Sequence, residues 1–172
     1  MTAPAFATHL RSILLRDLRA LRRELDAYPD DASVWATPAG ISNSCGTLVL
    51  HLCGNLRTYV GREIGGIPYE RDRPKEFATR NAAREALRAE LDIAMDVVER
   101  ATHAITSEML AREVLLEGKA YFNAQELLMH IAVHLTYHLG QVDYHRRLTT
   151  ANPATVATIA STELSSIRPV AS

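Results

Sequence analysis

The sequence lacks both a long apolar run and an excess of charge of either sign. Across 172 residues, 19 Lys and Arg stand against 20 Asp and Glu, so no overall field would attract a polyanion. The longest uncharged stretch of interest, 127–142, contains three histidines and is too short to span a bilayer. We therefore expect neither nucleic acid nor a membrane as a partner.

Signs of an oxidising compartment are also missing. The only cysteines, Cys45 and Cys53, fall in one predicted helix, where a rise of about 1.5 Å per residue places them too far apart for a disulfide. Arg11, Arg16 and Asp17 interrupt the apolar residues of the first 25, so no secretory signal is recognisable. We interpret the chain as mature and cytoplasmic, with both cysteines as packing residues.

Alternation of apolar and polar residues, which is typical of strands, is nearly absent, and 114–116 is the only short candidate. Four segments instead repeat apolar residues every three or four positions: 4–28, a segment capped at 42–44 that continues through Val60, a segment capped by Thr79 that reaches Ile105, and 123–148. This pattern predicts an all-α fold, specifically a four-helix bundle. The linker 65–78 is long enough for a crossover between the second and third helices. Residues 1–148 form the predicted domain, and 149–172 a tail that is either flexible or docked.

The fourth segment carries a row of histidines on one face. At about 100° per residue, a single stripe collects five side chains, which are His130, His134, His138, Gln141 and His145. Apolar residues surround this stripe, so it is expected to point inward, where unpaired imidazoles are costly. Histidines one turn apart can aim two nitrogens at one point, which favours a metal as their partner. A hydrogen-bonded polar network is the alternative.

Two ligands require a third from another helix, and the candidates are His9, His51 and His103. His51 lies in the middle of the second helix among leucines, where a core-facing residue is expected, and we favour it. Gly54 beside it would allow a neighbouring helix to approach closely. Asn55 and Gln141 share the register of these ligands and are candidates for contacting a ligand ring or a substrate. His130, one turn before His134, is either a proton carrier or a packed neighbour.

The stretches GTLVLH ending at His51, ELLMH ending at His130 and HLTYHLGQ ending at Gln141 resemble the DinB-like (YfiT-like) superfamily of four-helix metalloenzymes, over about residues 4–148. The resemblance implies a divalent metal, zinc or nickel, bound by His51, His134 and His138. It also implies an up-down-down-up bundle and a dimer. The sequence departs from the pattern at Leu139, where Arg is frequent, so an anionic-substrate role is not carried over.

Three imidazoles leave a coordination position open for a thiol or a water molecule. We therefore expect a metal-dependent enzyme, a thiol S-transferase or a hydrolase, that activates a low-molecular-weight thiol or water for transfer to a small electrophilic substrate. The alternative is a non-catalytic, dimeric metal- or ligand-binding protein with a stress or sensor role. Leu128, Leu135 and Leu139 cluster on a further apolar face of the fourth helix, which predicts a homodimer.

Overall fold

Helices account for most of the residues that the computed structural model describes, which are 2–116 and 120–168, with backbone alone at 116 and 120–122. In chain order the helices are α1 (Ala3–Asp26), α2 (Asp31–Val34), α3 (Cys45–Leu56), α4 (Arg73–Ala78), α5 (Arg84–His103), α6 (Ser107–Ala111) and α7 (Ala124–Thr150). Strands β1 (Glu113–Leu116) and β2 (Ala120–Asn123) pair antiparallel before α7, with Glu113 opposite Asn123. The prediction of an all-α fold is confirmed.

The four long helices enclose one leucine-rich core. Helix α1 packs against α5 and α7, and α3 packs against the same two helices. The predicted apolar stripes meet between them, and fully buried side chains from all four include Leu14, Leu52, Leu91 and Leu128. None of the helices within 2–116 and 120–168 has an apolar stretch long enough to cross a bilayer.

Side-chain caps fix where α3 and α7 begin. Ser44 accepts a hydrogen bond from the Thr47 amide at 3.2 Å, and Asn123 accepts one from the Gln125 amide at 3.0 Å. Such caps satisfy backbone N–H groups that the first turn of a helix leaves without partners. Because both helices start at defined residues, the faces that their histidines occupy are also defined.

The segment between α3 and α5 differs from its prediction as a plain linker. Residues 73–78 form helix α4, in which Asp72 caps the first turn and Pro74 occupies a position that tolerates a missing N–H. Thr79 ends α4 instead of starting the third long helix, which begins at Arg84 after Ala83. The threonine was misassigned because a residue favoured at an N-cap also occurs after a helix, where its hydroxyl donates back to the Lys75 carbonyl.

Beyond Leu56, α3 continues as a π-helix, Arg57–Ile64, where a regular helix was expected. The glycines of this region allow α5 to approach closely. A Cβ added to Gly61 would lie 2.5 Å from Val97 Cγ1, and one on Gly65 would lie 2.5 Å from Ala101 Cβ. Departures of this kind often occur near functional sites.

The leucines that predicted a homodimer lie inside the chain's own core. Leu128, Leu135 and Leu139 are 0%, 1% and 4% exposed, so this apolar face is already buried against the other helices. That argument for a dimer is therefore wrong. The helical wheel showed an apolar face but not how many neighbouring helices cover it.

The residues after α7 lie across α1 and α7. Ala151, with φ of 53°, ends the helix. Arg23 of α1 donates to the Val156 and Thr158 carbonyls, and Arg146 of α7 donates to those of Asn152 and Ala154. Arg146 is fully buried and pairs with the buried Glu24, where burial raises the pKa of the Glu24 carboxyl. The last residues of the predicted tail, 169–172, lie outside the described residues.

Two glycine substitutions test the packing around the π-helix. Gly61→Ala would push a methyl group into Val97 and should lower the free energy of unfolding by about 1–3 kcal/mol. Gly140→Ala is the control, because a Cβ on this residue of α7 meets nothing within 4 Å. It should raise stability by about 0.5–1 kcal/mol through the lower entropy of the unfolded chain. Urea denaturation measures both, and equal stabilities for the two variants would contradict the packing argument.

Candidate metal centre

Three histidines from two helices direct their Nε2 atoms toward one point. His51 is buried on α3, and His134 and His138 are half-buried one turn apart on α7. The Nε2 of His134 lies 3.4 Å from that of His51 and 3.1 Å from that of His138. In the described part of the chain, these three residues form the one His, Cys, Asp or Glu group whose ligand atoms all lie within 4.8 Å of one another.

These distances fit a shared metal ion. In a tetrahedral zinc site with Zn–N distances of about 2.0–2.1 Å, geometry places the ligand nitrogens about 3.3 Å apart. The rings also meet edge to face, with interplanar angles of 75° for His51 and His134 and 86° for His134 and His138. The three histidines are therefore positioned to bind a metal ion.

The surroundings of the ring nitrogens favour a metal over a hydrogen-bonded network. Nδ1 of His138 lies 2.6 Å from the acceptor Gln141 Oε1 and carries the proton, so the Nε2 of His138 presents a lone pair toward His134. Nδ1 of His51 lies near both an acceptor, Glu76 Oε2 at 3.4 Å, and a donor, Arg71 Nη2 at 3.3 Å. A cation can accept a lone pair from all three Nε2 atoms, whereas an N–H on one ring satisfies a single neighbouring lone pair.

Burial keeps the rings of His134 and His138 neutral, which metal binding requires. Burial, together with the neighbouring histidines, lowers the pKa of His134 to about 4. Burial also lowers the pKa of His138, although the hydrogen bond with Gln141 opposes this effect. At neutral pH both rings therefore keep a free lone pair.

An acidic residue missed in the sequence lies behind His51. Glu76 of α4 is buried and receives two hydrogen bonds from Arg71, Nε to Oε1 at 2.7 Å and Nη2 to Oε2 at 2.8 Å. Although burial opposes the change, hydrogen bonds from His51 and Arg71 lower the pKa of the Glu76 carboxyl. A carboxylate behind a ligand histidine fixes its ring orientation and raises its basicity.

Gly54 makes room for this carboxylate. A Cβ at Gly54 would lie 2.0 Å from Glu76 Oε1. The close approach expected at this glycine therefore comes from the side chain of the short helix α4. A glycine three residues after a ligand histidine was the one sequence signal for Glu76, and it did not identify the partner.

The remaining candidates have separate surroundings. Gln141 contacts His138, while Asn55 is buried one turn after His51 and its Oδ1 has no hydrogen-bond partner in the described structure. His130 is exposed, with its ring centroid 6.0 Å from that of His134. His145 lies in the core, 2.6 Å from the Tyr28 hydroxyl and 2.8 Å from the Ala36 carbonyl, and is not part of the cluster.

The other two candidates for the third ligand lie elsewhere. His9 is exposed on α1, and exposed His103 at the end of α5 pairs with Glu99. Cys45 and Cys53 are buried free thiols, and burial raises the pKa of Cys45 to about 12 and that of Cys53 further. Neither cysteine is a thiolate ligand or nucleophile at neutral pH.

A cavity of about 430 Å³ opens onto the histidines. Its walls come from α3, the π-helix, α4 and α7, and they include Asn55, Arg71, Arg73, Phe77 and His130. This volume is in the range of small-molecule sites. The arrangement therefore combines a three-nitrogen cluster with space for a ligand beside it.

A family model described as the DinB superfamily matches residues 13–142, which is more than half of the chain and contains all three histidines. No curated protein and no solved structure gave a significant match.

Removing Glu76 tests whether it orients His51. Glu76→Ala should lower the affinity for Zn²⁺ by about 10–100-fold, because His51 loses the acceptor facing Nδ1. Glu76→Gln, which keeps an acceptor oxygen, should lose less. Glu70→Ala removes an exposed carboxylate from the same connection and serves as the control. Competition with a chelator gives the affinities, and unchanged Zn²⁺ binding in a folded Glu76→Ala protein would contradict this role.

Proposed function

The chain belongs to the DinB superfamily, and from this membership and its three-histidine cluster we propose that it is a metal-dependent enzyme. It activates a low-molecular-weight thiol, or water, for transfer to a small electrophilic substrate. The observation that carries the proposal is the convergence of three Nε2 atoms at the wall of a cavity large enough for a substrate.

In this proposal His51, His134 and His138 hold a divalent ion, with zinc or nickel as the expected metals because imidazole nitrogens suit both. When bound, the ion supplies Lewis acidity, which lowers the pKa of a coordinated thiol or water. Three protein ligands are typical of catalytic sites, whereas structural zinc sites usually have four. Metal analysis of protein purified without an affinity tag tests this assignment.

The other residues of the site hold the histidine rings in place, line the cavity or transfer a proton. Glu76 and Gln141 hold the ring planes of His51 and His138. Asn55 lines the cavity and its buried Oδ1 has no hydrogen-bond partner in the described structure, and the exposed His130 lines the same cavity. Of the candidate catalytic residues His130, Gln141 and Asn55, His130 suits proton transfer, and the other two suit positioning.

The expected topology is part of the same proposal. We infer an up-down-down-up order for the four long helices, with the crossover between α3 and α5. The support is the length of this connection, which contains the whole of α4. A cytoplasmic location also remains an expectation, supported by the two free cysteines.

Replacing one ligand tests the metal site and the function together. His134→Ala should abolish metal binding and thiol-dependent turnover while the cooperative thermal melt persists, because the four apolar stripes already form the core. His130→Ala, one turn away on the same helix, should retain the metal. The measurements are metal content, circular dichroism melting and turnover with a thiol and an electrophile.

Each outcome of that comparison is informative. Unfolding of His134→Ala would mean that the metal is structural. Unchanged metal content would mean that the ligands are wrongly assigned. A wild-type protein that binds metal but shows no turnover with any thiol or by hydrolysis would favour the non-catalytic sensor role.

We also propose a homodimer, formed by a different face of α7 from the one predicted. The exposed large apolar side chains on this face span about 100° of the helical wheel and are Met129, Val133, Tyr137, Tyr144 and Leu148. A contiguous exposed apolar stripe is typical of an interaction surface, and a two-fold interface would use the same stripe twice.

A charge in this stripe should weaken the dimer. Tyr144→Glu is expected to shift the protein toward monomer, since the residue is 70% exposed in the single chain and would be buried between two copies. Ile93→Glu, on the exposed side of α5, is the control and should leave the dimer intact. Light scattering at micromolar concentrations measures both. A monomeric wild type would contradict the proposal.

A further inference from the structure

The cavity beside the histidines carries positive charge that the three-histidine cluster does not use. Arg71 and Arg73 both line it, and none of its described lining residues is a carboxylate. The nearby acid, Glu76, is held by Arg71 and packs over Gly54, facing a different cavity. The walls therefore favour a negatively charged ligand.

Arg73 is the cation available to such a ligand. Two nitrogens of Arg71 bond the Glu76 carboxylate, which neutralises much of its charge. Arg73 makes no ion pair with any residue in the described ranges, and its guanidinium lies 4.9 Å from the centre of the Phe77 ring. That ring in turn lies 5.1 Å from the ring of His51. Stacking on Phe77 therefore holds an unpaired cation near the histidine cluster.

Asn55 places a second and independent requirement on the ligand, which is a hydrogen-bond donor. It is 7% exposed and lines the same cavity, and its Oδ1 has no hydrogen-bond partner within the described structure. Leaving a buried amide oxygen unpaired destabilises a protein, so a group that donates a hydrogen bond to it binds favourably. The position one turn after His51 places this acceptor beside the cluster as well.

We propose that the cavity binds a small organic carboxylate that also carries an N–H or O–H donor. The carboxylate pairs with Arg73, and the donor bonds Asn55 Oδ1. Because both anchors border His51, the bound molecule lies beside the histidine cluster. As a statement about the substrate, this inference rests on the proposed function, whereas as a statement about binding it stands without it.

The positive charge of the cavity comes from the connection between α3 and α5. Arg71 precedes α4, and Arg73 is the first residue of that helix. Specificity for an anion is thus a property of this connection.

Three matched compounds test the two requirements on the metal-loaded protein. N-Acetylglycine has both a carboxylate and an N–H donor, N-acetylsarcosine lacks the N–H, and N-acetylglycinamide lacks the charge. We expect N-acetylglycine to bind with a roughly millimolar Kd, as suits a ligand of its size. Each analogue should bind about fivefold more weakly or worse. NMR titration of the protein's amide signals measures all three.

Substitutions test which residue causes the preference for a carboxylate and which causes the preference for an N–H donor. Arg73→Gln should abolish the preference for N-acetylglycine over N-acetylglycinamide. Asn55→Leu, or Asn55→Ala if the leucine variant does not fold, should abolish the preference over N-acetylsarcosine. Lys75→Gln removes an exposed cation of α4 that lines the other cavity, and both preferences should persist in this control.

Failure of this inference is distinguishable from failure of the proposed function. Equal binding of the three compounds, no binding, or an unchanged preference in Arg73→Gln would overturn the inference, and metal content and thiol turnover would be unaffected by that result. The converse outcome is a metal-loaded wild-type protein that shows both preferences but no turnover with a thiol or by hydrolysis. That result supports the inference and contradicts the proposed function.

Discussion

The site depends on a row of imidazoles at the edge of an apolar bundle. Buried polar rings must find partners, and here the register of α3 against α7 brings three Nε2 atoms together. This register requires that α3 and α7 begin at their caps, Ser44 and Asn123. It also requires a glycine at position 54, which leaves room for the carboxylate behind His51. A shift of either helix by one residue would turn its histidines away from the common point.

The features that follow from a single helix could be predicted from the sequence. The spacing of His134 and His138 fixes both on one face, whatever surrounds them. Leucines around His51 indicated a core position in the same way, and His51 indeed lies opposite the pair, 3.4 Å from His134. Periodicity sets the faces of a helix, and four helices with apolar stripes have few ways to bury them.

The features that depend on tertiary contacts could not be predicted. Glu76 lies in a segment with proline and charge but no periodicity, and only its contacts with Arg71 and His51 show its role. The π-helix packs closely against α5, with Gly61 next to Val97, and periodicity within one segment does not show such a contact. The dimer prediction from the leucines of α7 was wrong for a related reason. A helical wheel shows which residues share a face but not what covers that face.

The site therefore divides between two kinds of element. Long helices α3 and α7 hold the ligand rings, and their positions are fixed by the core. The short helix α4 and the residues before it contribute Glu76, Arg71, Arg73 and Phe77 from one side. Because no residue of α4 belongs to the apolar core, we expect its residues to tolerate change without loss of the bundle. A chain that keeps the three histidines and alters this connection would keep the three-histidine cluster and change the ligand that fits the cavity.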